Sequence, residues 1–490
     1  MNIKQKIMKK ILFAIGCGII ILLAGCAGSQ QHVVEEIVAY TPVNTVVTTE
    51  PLSRVQQPPP TEEPEPTEED FPREFASLHI TTVGPGVPFE IRDLWIDSTF
   101  TLVAPNPAWE FEEVPGRIRG RGRSSWSRRD ARDKRPLRVR FTGSDRERSM
   151  LGSPHVSRDW VLVSNHFDKS LLRNYSAYHL GTLLDSMDWS PFARSVHLYV
   201  NGEYMGVYLL VDERTVEPGR AQLTFDPDPA LSEYFFEMDW RNYRNDAVEN
   251  VDYIRVNSHP DGVIGSSRVG EGAFVRDHLY DFRFPRDEDM TTEHFLYVRD
   301  FLTVLGTAFR ERDFEVIERM VDIDSLIDYY LVQELYQNVD AGFSSMFYQI
   351  RGQGDQRRLY MGPLWDFDVA AGNAYWLNNQ TPYRLYVSRR WYWANAIHNT
   401  PQLHERMVER WNNYVKDAIV EMLIHVRYIA ETYQEDFERN FERHQIMGVE
   451  IWPNPEHVVE IDTFMGQVDF LIDFLERRAA YLDGVFNGND

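Results

Sequence analysis

Residues 361–373 read MGPLWDFDVAAGN, and the rest of the chain can be interpreted outward from this stretch. Asp366 and Asp368 stand two positions apart and alternate with aromatic residues. In an extended segment, both carboxylates lie on one face, while Trp365 and Phe367 lie on the other. Two converging carboxylates suit Mg²⁺ or Mn²⁺, cations that commonly neutralise phosphate charge. The alternative is an acidic turn beside two core aromatics, because short acidic motifs are common.

The strands predicted around this stretch bring a third carboxylate to it. Residues 346–350 and 358–361 alternate as strands and are predicted to pair as a hairpin, and a predicted helix ends just before Asp340. The hairpin places Asp340 at the same rim as Asp366 and Asp368. Three carboxylates at one rim repel each other unless a cation or hydrogen-bond donors offset their charge. This arrangement gives the metal interpretation as much support as the acidic turn.

A second unusual segment, RIRGRGRSSW, occupies residues 117–126. Gly120 and Gly122 permit close approach of the backbone to a ligand, and the hydroxyl groups of Ser124 and Ser125 can bind phosphate oxygens. The arginines would offset the phosphate charge. The alternative is an exposed basic turn.

After the first ten residues the chain has only three lysines, Lys134, Lys169 and Lys416. Arginine supplies nearly all of the remaining positive charge. Retention of Lys134 and Lys169 near these motifs indicates a need for a compact ammonium group, although chance retention is the alternative. Lys169 and Arg173 are four residues apart in a helix predicted over residues 165–180, so they share a face. They point either at an anionic ligand or into solvent.

The N-terminus has the features of an export signal. Lysines at positions 4, 6, 9 and 10 precede the apolar run 11–23 and the sequence LAGC, which ends at Cys26. This pattern resembles a bacterial lipobox, which predicts a signal peptide over residues 1–25 and an exported lipoprotein held on the extracytoplasmic face of the cell membrane by lipid on Cys26. The alternative is a single transmembrane anchor, for which an apolar run of roughly 15 residues is short. Residues 26–70 are rich in Pro, Thr and Glu and predict a disordered stalk.

Composition narrows the classes of function. The chain of 490 residues is 43% hydrophobic and 13% aromatic, which excludes a wholly disordered protein. Its formal net charge of −24 argues against nucleic-acid binding and favours a basic protein partner. The only cysteines are Cys17 and Cys26, so the mature body has no disulfide and no cysteine-based zinc or nucleophile site.

The remaining pattern predicts an α+β protein. Residues 71–240 are strand-rich, with an Asn201-Gly202 turn of type I′ between two alternating strands. Residues 241–490 are mainly helical, apart from a polar, loop-rich stretch at 242–276. The aromatic run at 391–393 could be a carbohydrate platform, but a core role is favoured.

Five segments in this order resemble the spore-coat kinase family typified by the CotH proteins. They are IRGRGRSSW at 118–126, DKSLLRN at 168–174, VNGEYMGVY at 200–208, NVD at 338–340 and GPLWDFD at 362–368. The resemblance implies an atypical protein-kinase-like bilobal fold over residues 71–490, with a strand-rich N-terminal lobe and a mainly helical C-terminal lobe. It also implies transfer of the γ-phosphate of ATP to Ser or Thr of a secreted or surface protein, with Mg²⁺ or Mn²⁺ as the metal.

The resemblance assigns roles to individual residues. Asp340 becomes the catalytic-loop carboxylate that orients or deprotonates the acceptor hydroxyl, and Asp366 and Asp368 become the metal ligands. The residues assigned to the nucleotide are Arg119, Gly120, Gly122, Ser124, Ser125, Lys134, Lys169, Arg173 and Glu213. Lys134 is the first choice for pairing with the phosphates and Lys169 the second.

Two positions depart from the expected pattern. Ser345 stands five residues after Asp340, where an ordinary kinase catalytic loop has an asparagine that binds the second metal, and Arg123 stands where the loop of the family generally has asparagine. A neutral hydroxyl is a poorer metal ligand. The alternative function is therefore a surface binding or adhesion lipoprotein of the same fold with weak or no catalysis. A carbohydrate-active enzyme is disfavoured, because Asp366 and Asp368 are too close in sequence to flank a sugar bond.

Overall fold

The computed structural model describes residues 74–84, 90–128, 134–238, 253–256, 268–269, 273–274, 278–286, 288–342 and 344–488. The predicted signal peptide, the lipidation site Cys26 and the stalk lie outside the described residues. Most of the loop-rich stretch predicted at 242–276 also lies outside the described residues. Within the described part of the chain, no helix is both long and apolar enough to cross a membrane.

Seven strands close into a barrel. They are β1 (Ala76–Thr82), β2 (Ile96–Val103), β3 (Phe111–Gly120), β4 (Leu137–Phe141), β5 (Asp159–Val163), β6 (Ala193–Val200) and β7 (Glu203–Asp212). The order around the barrel is β1-β2-β3-β4-β5-β7-β6. Neighbouring strands are antiparallel except β1 and β6, which close the barrel as a parallel pair. The strand-rich character predicted for this region is confirmed, and its form is a closed barrel.

The hairpin of β6 and β7 turns where the Asn-Gly dipeptide predicted it. Asn201 and Gly202 have φ angles of 52° and 82°, as a type I′ turn requires. Strand β7 is buried on both faces and forms the wall between two hydrophobic cores. Tyr208 and Leu210 face the barrel interior, while Leu209 and its alternate neighbours pack against the larger core beneath the helices.

A second sheet of five strands underlies the helices. Its order is β14-β13-β8-β12-β9, with β8 (Tyr234–Met238), β9 (Tyr253–Val256), β12 (His278–Phe284), β13 (Met346–Arg351) and β14 (Arg358–Met361). The short strands β10 (Arg268–Val269) and β11 (Ala273–Phe274) pair with each other. Strands β13 and β14 form the predicted hairpin, with Tyr348 opposite Met361. The segment 361–373 therefore leaves the sheet at a fixed edge.

Eleven α-helices occur in the described ranges, most of them in the second half of the chain. They are α1 (Ser124–Ser127), α2 (Arg173–Thr182), α3 (Thr292–Glu311), α4 (Phe314–Met320), α5 (Ile323–Leu335), α6 (Tyr392–Asn399), α7 (Pro401–Arg410), α8 (Lys416–Thr432), α9 (Gln434–Arg443), α10 (Glu456–Val459) and α11 (Phe464–Phe486). A π-helical turn, Trp411–Val415, joins α7 to α8. The combination of strands and helices confirms the predicted α+β class.

The helix predicted to begin at Asn165 begins instead at Arg173. Asn165 and Leu171 have φ angles of 47° and 58°, which no right-handed helix accommodates. The carboxylate of Asp168 bonds to the backbone amides of Ser170 and Arg173, at 3.0 and 2.8 Å, and so stabilises a turn ahead of the helix. Lys169 consequently precedes α2 and shares no helical face with Arg173.

Helix α5 ends close to Asp340, and a buried ion pair fixes that end. Glu334 and Arg478 of α11 are both fully buried and bonded to each other. Glu334 also accepts bonds from the backbone amides of Tyr386, Val387 and Ser388. A buried charge with this many donors joins the last turn of α5 to α11 and to residues 386–388.

Candidate active site

The aromatic and acidic residues of the segment 361–373 separate as predicted. Trp365 and Phe367 are buried, whereas Asp366 and Asp368 are half-buried. The segment is not fully extended, because Asp366 has a φ angle of 68°. The amide of Phe367 donates to the side-chain oxygen of Asn174 at 2.7 Å, and this bond fixes the bend. The carboxylates are therefore presented from a turn.

The structure brings Asp340 near the acidic pair. Burial raises the pKa of Asp368 well above its usual range, and the negative charges of Asp366, Asp168 and Asp340 raise it further. In the part of the chain that the structure describes, no group of three or more His, Cys, Asp or Glu side chains is arranged to hold a metal. The assignment of Asp366 and Asp368 as cation ligands stays a prediction. Mg²⁺ commonly binds to one or two carboxylates and completes its shell with water and phosphate oxygens.

Ser345, the unexpected residue of the catalytic loop, lies at the same site. Its hydroxyl group donates a hydrogen bond of 2.9 Å to Oδ2 of Asp366. Ser345 has a φ angle of 54°, in the left-handed region that asparagine tolerates better than most residues. The position predicted for a second metal ligand is therefore adjacent to the first carboxylate, but it carries a hydroxyl group that orients Asp366.

Asp168 and Arg173 form a buried ion pair behind the acidic pair. Both are fully buried, and Nη1 of Arg173 lies 2.5 Å from Oδ1 of Asp168. Arg173 also donates to the carbonyl oxygens of Ala370 and Ala371, at 3.1 and 3.2 Å. The assignment of Arg173 to nucleotide binding is corrected: its guanidinium group is committed to the protein interior and fixes the chain just after Asp368.

The two lysines singled out from the sequence have different surroundings. Nζ of Lys169 donates to the carbonyl oxygen of Val449 at 2.8 Å, and burial lowers its pKa to about 8. Nζ of Lys134 is buried and has no hydrogen-bond partner among the described residues. Burial lowers the pKa of Lys134 to about 7, against the opposing effect of the Asp168 charge. Of these two lysines, Lys134 is thus the one whose ammonium group lacks a hydrogen-bond acceptor among the described residues.

The glycine-rich segment contains the end of a strand and a loop. Strand β3 continues through Gly120, whose added Cβ would lie 2.1 Å from the ring of Trp126. Gly122 has a φ angle of 76°, and an added Cβ there would lie 2.2 Å from the hydroxyl oxygen of Ser125. Ser125 and Ser124 are half-buried in α1. The loop therefore depends on both glycines for its path.

Arg119 is not part of this loop. The alternation of β3 places it on the outer face of the barrel, where it pairs with the exposed Asp93 at 3.4 Å and stacks 5.1 Å from the ring centroid of Trp95. The assignment of Arg119 to the nucleotide stays a prediction. The loop begins one residue after Gly120, with Arg121, whose guanidinium group lies over the ring of Trp365. Arg121 was not singled out from the sequence, although it belongs to the quoted motif.

Glu213 is buried among arginines at the end of β7. Its carboxylate lies 3.5 Å from Nε of Arg138 and accepts a bond of 3.0 Å from the backbone amide of Arg214. Burial alone would raise the pKa of Glu213, but the charges of Arg138, Arg214 and Arg121 outweigh this effect and hold the pKa below its usual range. Glu213 is therefore ionised and attracts Arg121 toward the acidic pair.

The aromatic run at 391–393 belongs to the core. Trp391 and Trp393 are each 1% exposed, and Trp393 stacks on Phe309 at a centroid distance of 4.6 Å. The favoured core role is confirmed, and the side chains do not form a carbohydrate platform.

Comparison with protein families identifies the chain. The model of the family described as CotH kinase protein matches residues 117–482, about three quarters of the sequence. The chain belongs to the CotH kinase protein family. A comparison with curated proteins gave no match. The family match includes the glycine-rich loop, Asp340 and the acidic pair, and it indicates a kinase-like function for this CotH domain.

Proposed function

We propose that this CotH family member is a protein kinase that transfers the γ-phosphate of ATP to a Ser or Thr hydroxyl group of another protein. The observation that carries the proposal is the concentration of negative charge at Asp340, Asp366 and Asp368, close to the loop that begins at Arg121. Repulsion among carboxylates is unfavourable unless a cation is bound. We further propose that the barrel and the helical part correspond to the two lobes of a kinase-like fold.

The residues present fit a divalent cation. Asp366 and Asp368 supply two hard oxygen ligands, and burial together with the negative charges of Asp366, Asp168 and Asp340 raises the pKa of Asp368. Described residues provide no cationic partner to Asp368. When bound, Mg²⁺ or Mn²⁺ would neutralise charge on the phosphate oxygens. The hydroxyl group of Ser345 would keep Asp366 oriented.

The reaction exchanges one bond for another. The acceptor oxygen forms a bond to the γ-phosphorus, while the bond between that phosphorus and the β–γ bridging oxygen breaks and ADP leaves. The proton of the acceptor hydroxyl passes to the carboxylate of Asp340, which orients the hydroxyl before transfer. Cationic groups close to the phosphates, Lys134 among them, offset the charge of the phosphate chain.

We propose that the reaction takes place outside the cytoplasm. The lipobox-like sequence ending at Cys26 and the proline-rich stalk support an exported lipoprotein whose domain stands off the membrane. The acceptor would then be a secreted or surface protein. Loss of lipid labelling in a Cys26→Ser variant is the expected result, and unchanged labelling would contradict this part of the proposal.

Incorporation of labelled phosphate from ATP by the full-length protein, into itself or into a Ser-rich basic protein, tests the proposed activity. Incorporation is expected to require Mg²⁺ or Mn²⁺ and to fall by about 10²-fold or more in Asp340→Asn and Asp366→Asn, because each removes a charge used in the transition state. The matched control is Asp93→Asn, which changes an exposed aspartate on the barrel and should leave incorporation unchanged. Equal incorporation by all four proteins would contradict the assigned roles.

Ser345 supports a second candidate, a surface binding protein that keeps the fold without catalysis. A hydroxyl group replaces the amide expected at this position and is already bonded to Asp366. This candidate predicts no phosphate transfer and no stabilisation by ATP with Mg²⁺. A rise in the unfolding temperature with both ligands present, together with transfer, would exclude it.

A further inference from the structure

Two arginines from separate elements stack on the tryptophan of the acidic motif. The guanidinium carbon of Arg214, just after β7, lies 4.2 Å from the ring centroid of Trp365, and that of Arg121 lies 5.4 Å from the same centroid. Tyr178 of α2 stacks on Trp365 at 5.7 Å. Trp365 is 3% exposed, so these contacts fix its ring completely. The residue next to it in sequence is Asp366, a metal ligand of the proposed function.

The two arginines differ in whether a carboxylate pairs with their charge. Arg214 lies 3.4 Å from the carboxylate of Glu213 and 3.9 Å from that of Glu237. Arg121 forms no ion pair or side-chain hydrogen bond with the described residues, and its stack on Trp365 is its closest charge-related contact. Burial lowers the pKa of Arg121, and the neighbouring positive charge of Arg214 lowers it further, while Glu213 and Asp366 act in the opposite direction. Arg121 thus has charged neighbours, but it forms no ion pair with any described residue.

A half-buried cation beside a second cation is unfavourable unless an anion binds to it. The position of Arg121 specifies where that anion lies: at the first residue of the glycine-rich loop and within the electrostatic influence of Asp366. Planar guanidinium groups bind phosphate oxygens through two parallel hydrogen bonds, and stacking on an aromatic ring keeps such a group oriented. The chemistry of this position matches a phosphate group.

We propose that Arg121, positioned by its stack on Trp365, binds the phosphate chain of the nucleotide directly. This inference rests on the proposed function and deepens it, because it assigns the main phosphate-binding cation to the loop arginine. Arg214 and Glu213 act as positioning residues. Arg214 makes the second guanidinium contact with the ring of Trp365, and the carboxylate of Glu213 attracts both guanidinium groups. Phosphate binding by Arg121 and orientation of Asp366 are thereby linked through one ring.

Arg119 provides a matched control two residues away. It has the same side chain and stacks on a tryptophan at a similar distance, 5.1 Å from the ring centroid of Trp95. Unlike Arg121, it already pairs with a carboxylate, that of Asp93. An effect that comes only from removing one positive charge from the domain would appear equally in both variants.

Calorimetric titration of the full-length protein with AMP, ADP and ATP, each with Mg²⁺, tests the inference without requiring catalysis. Arg121→Ala is expected to weaken ADP and ATP binding about tenfold or more, and AMP binding less, because charge-assisted bonds to the outer phosphates are lost. Arg119→Ala should bind all three within about twofold of the wild type. Arg121→Lys should recover part of the affinity, since it keeps the charge but not the planar fork.

The outcomes separate this inference from the proposed function. Wild-type binding of ATP with unchanged affinity in Arg121→Ala would overturn the role of Arg121 and leave the kinase proposal standing. A lower unfolding temperature of Arg121→Ala with unchanged affinity would show that the stack serves stability alone, and would also overturn it. Absence of nucleotide binding by the wild type, with Mg²⁺ or Mn²⁺ present, would overturn both proposals.

Discussion

Asp168 and Asp368 are two aspartates whose charges affect each other, yet their environments are opposite. Asp168 is fully buried and accepts bonds from the amide and hydroxyl group of Ser170 and from the amide and guanidinium group of Arg173. Asp368 is half-buried and has no cationic partner among the described residues. The fold can therefore satisfy a buried carboxylate at this location, yet it gives Asp368 no cationic partner among the described residues.

The same contrast holds for the cations nearby. Arg173 donates to one carboxylate and two carbonyl oxygens, whereas Lys134 has no bonding partner in the described ranges. A buried charge that loses its partner destabilises the fold strongly, and a charge without a partner is unfavourable until a ligand binds. Stability measurements can therefore distinguish structural charges from ligand-binding charges in this protein.

The largest effect is expected for Asp168→Ala. It leaves the guanidinium group of Arg173 buried without its carboxylate, which should lower the free energy of unfolding by about 3–5 kcal/mol. The double variant Asp168→Leu with Arg173→Met should lose less, because no buried charge is left unpaired. Chemical denaturation measures both, with Asp93→Ala as an exposed control that changes stability by about 1 kcal/mol or less. A single-variant loss as small as that of the control would show that the pair is not structural.

Lys134→Met should increase stability near neutral pH by roughly 3 kcal/mol and weaken ATP binding. The pKa of Lys134 is lowered to about 7 in the folded protein from 10.5. The unfolded chain therefore binds one more proton between these pH values, and wild-type stability rises as the pH increases through this range. The advantage of methionine should be largest at or below pH 7 and vanish above pH 10.5. Denaturation curves at several pH values measure it, and a variant less stable than the wild type at pH 7 would show that Lys134 has a partner.

Asp368→Asn should increase the free energy of unfolding by about 1 kcal/mol in the absence of metal, because it removes repulsion from Asp366 and Asp340. Mg²⁺ with ATP should raise the unfolding temperature of the wild type and not that of the variant. Chelation of the metal should return the wild type to its lower unfolding temperature. Stabilisation of the variant by metal and nucleotide equal to that of the wild type would contradict the role of Asp368.

The smallest effects are expected at Ser345. Ser345→Ala removes one hydrogen bond to Asp366 and should lower stability by about 1 kcal/mol. Ser345→Asn should leave stability nearly unchanged, since asparagine tolerates the left-handed backbone at this position. If the serine limits metal binding, Ser345→Asn should also increase the transfer rate several-fold at low Mg²⁺. A rate that falls in Ser345→Asn would show that the hydroxyl group is the better partner for Asp366.

Much of the candidate site could be predicted because it follows from local patterns. Alternation and turn residues predicted both hairpins, and the hairpin of β13 and β14 brought Asp340 toward the acidic pair. The surroundings of Asp168 were not predicted, because they depend on left-handed residues at Asn165 and Leu171, neither of which is glycine. A helical pattern extends through these positions in the sequence, and the bonds of Asp168 to Ser170 and Arg173 stabilise a turn there instead.

The motif alone did not indicate which of its arginines contacts Trp365. Side chains alternate along a strand, so Arg119 lies on the opposite face of β3 from the buried Ile118. Strand β3 continues through Gly120, which places Arg119 on the outer face and leaves Arg121 as the first residue of the loop. The motif RGRGR contains the phosphate-binding candidate, but the position of the strand end was needed to identify which arginine it is.

The parallel pair of β1 and β6 determines when the barrel can form. Ala76 pairs with Val196, 120 residues later in the chain, so the pair must bring together distant segments against the entropy of a long loop. Contacts this far apart in sequence slow folding. Until they form, one edge of β1 and one edge of β6 remain open, and each can pair with a strand of another chain. Barrel closure is therefore the step at which correct folding of this protein competes most directly with aggregation.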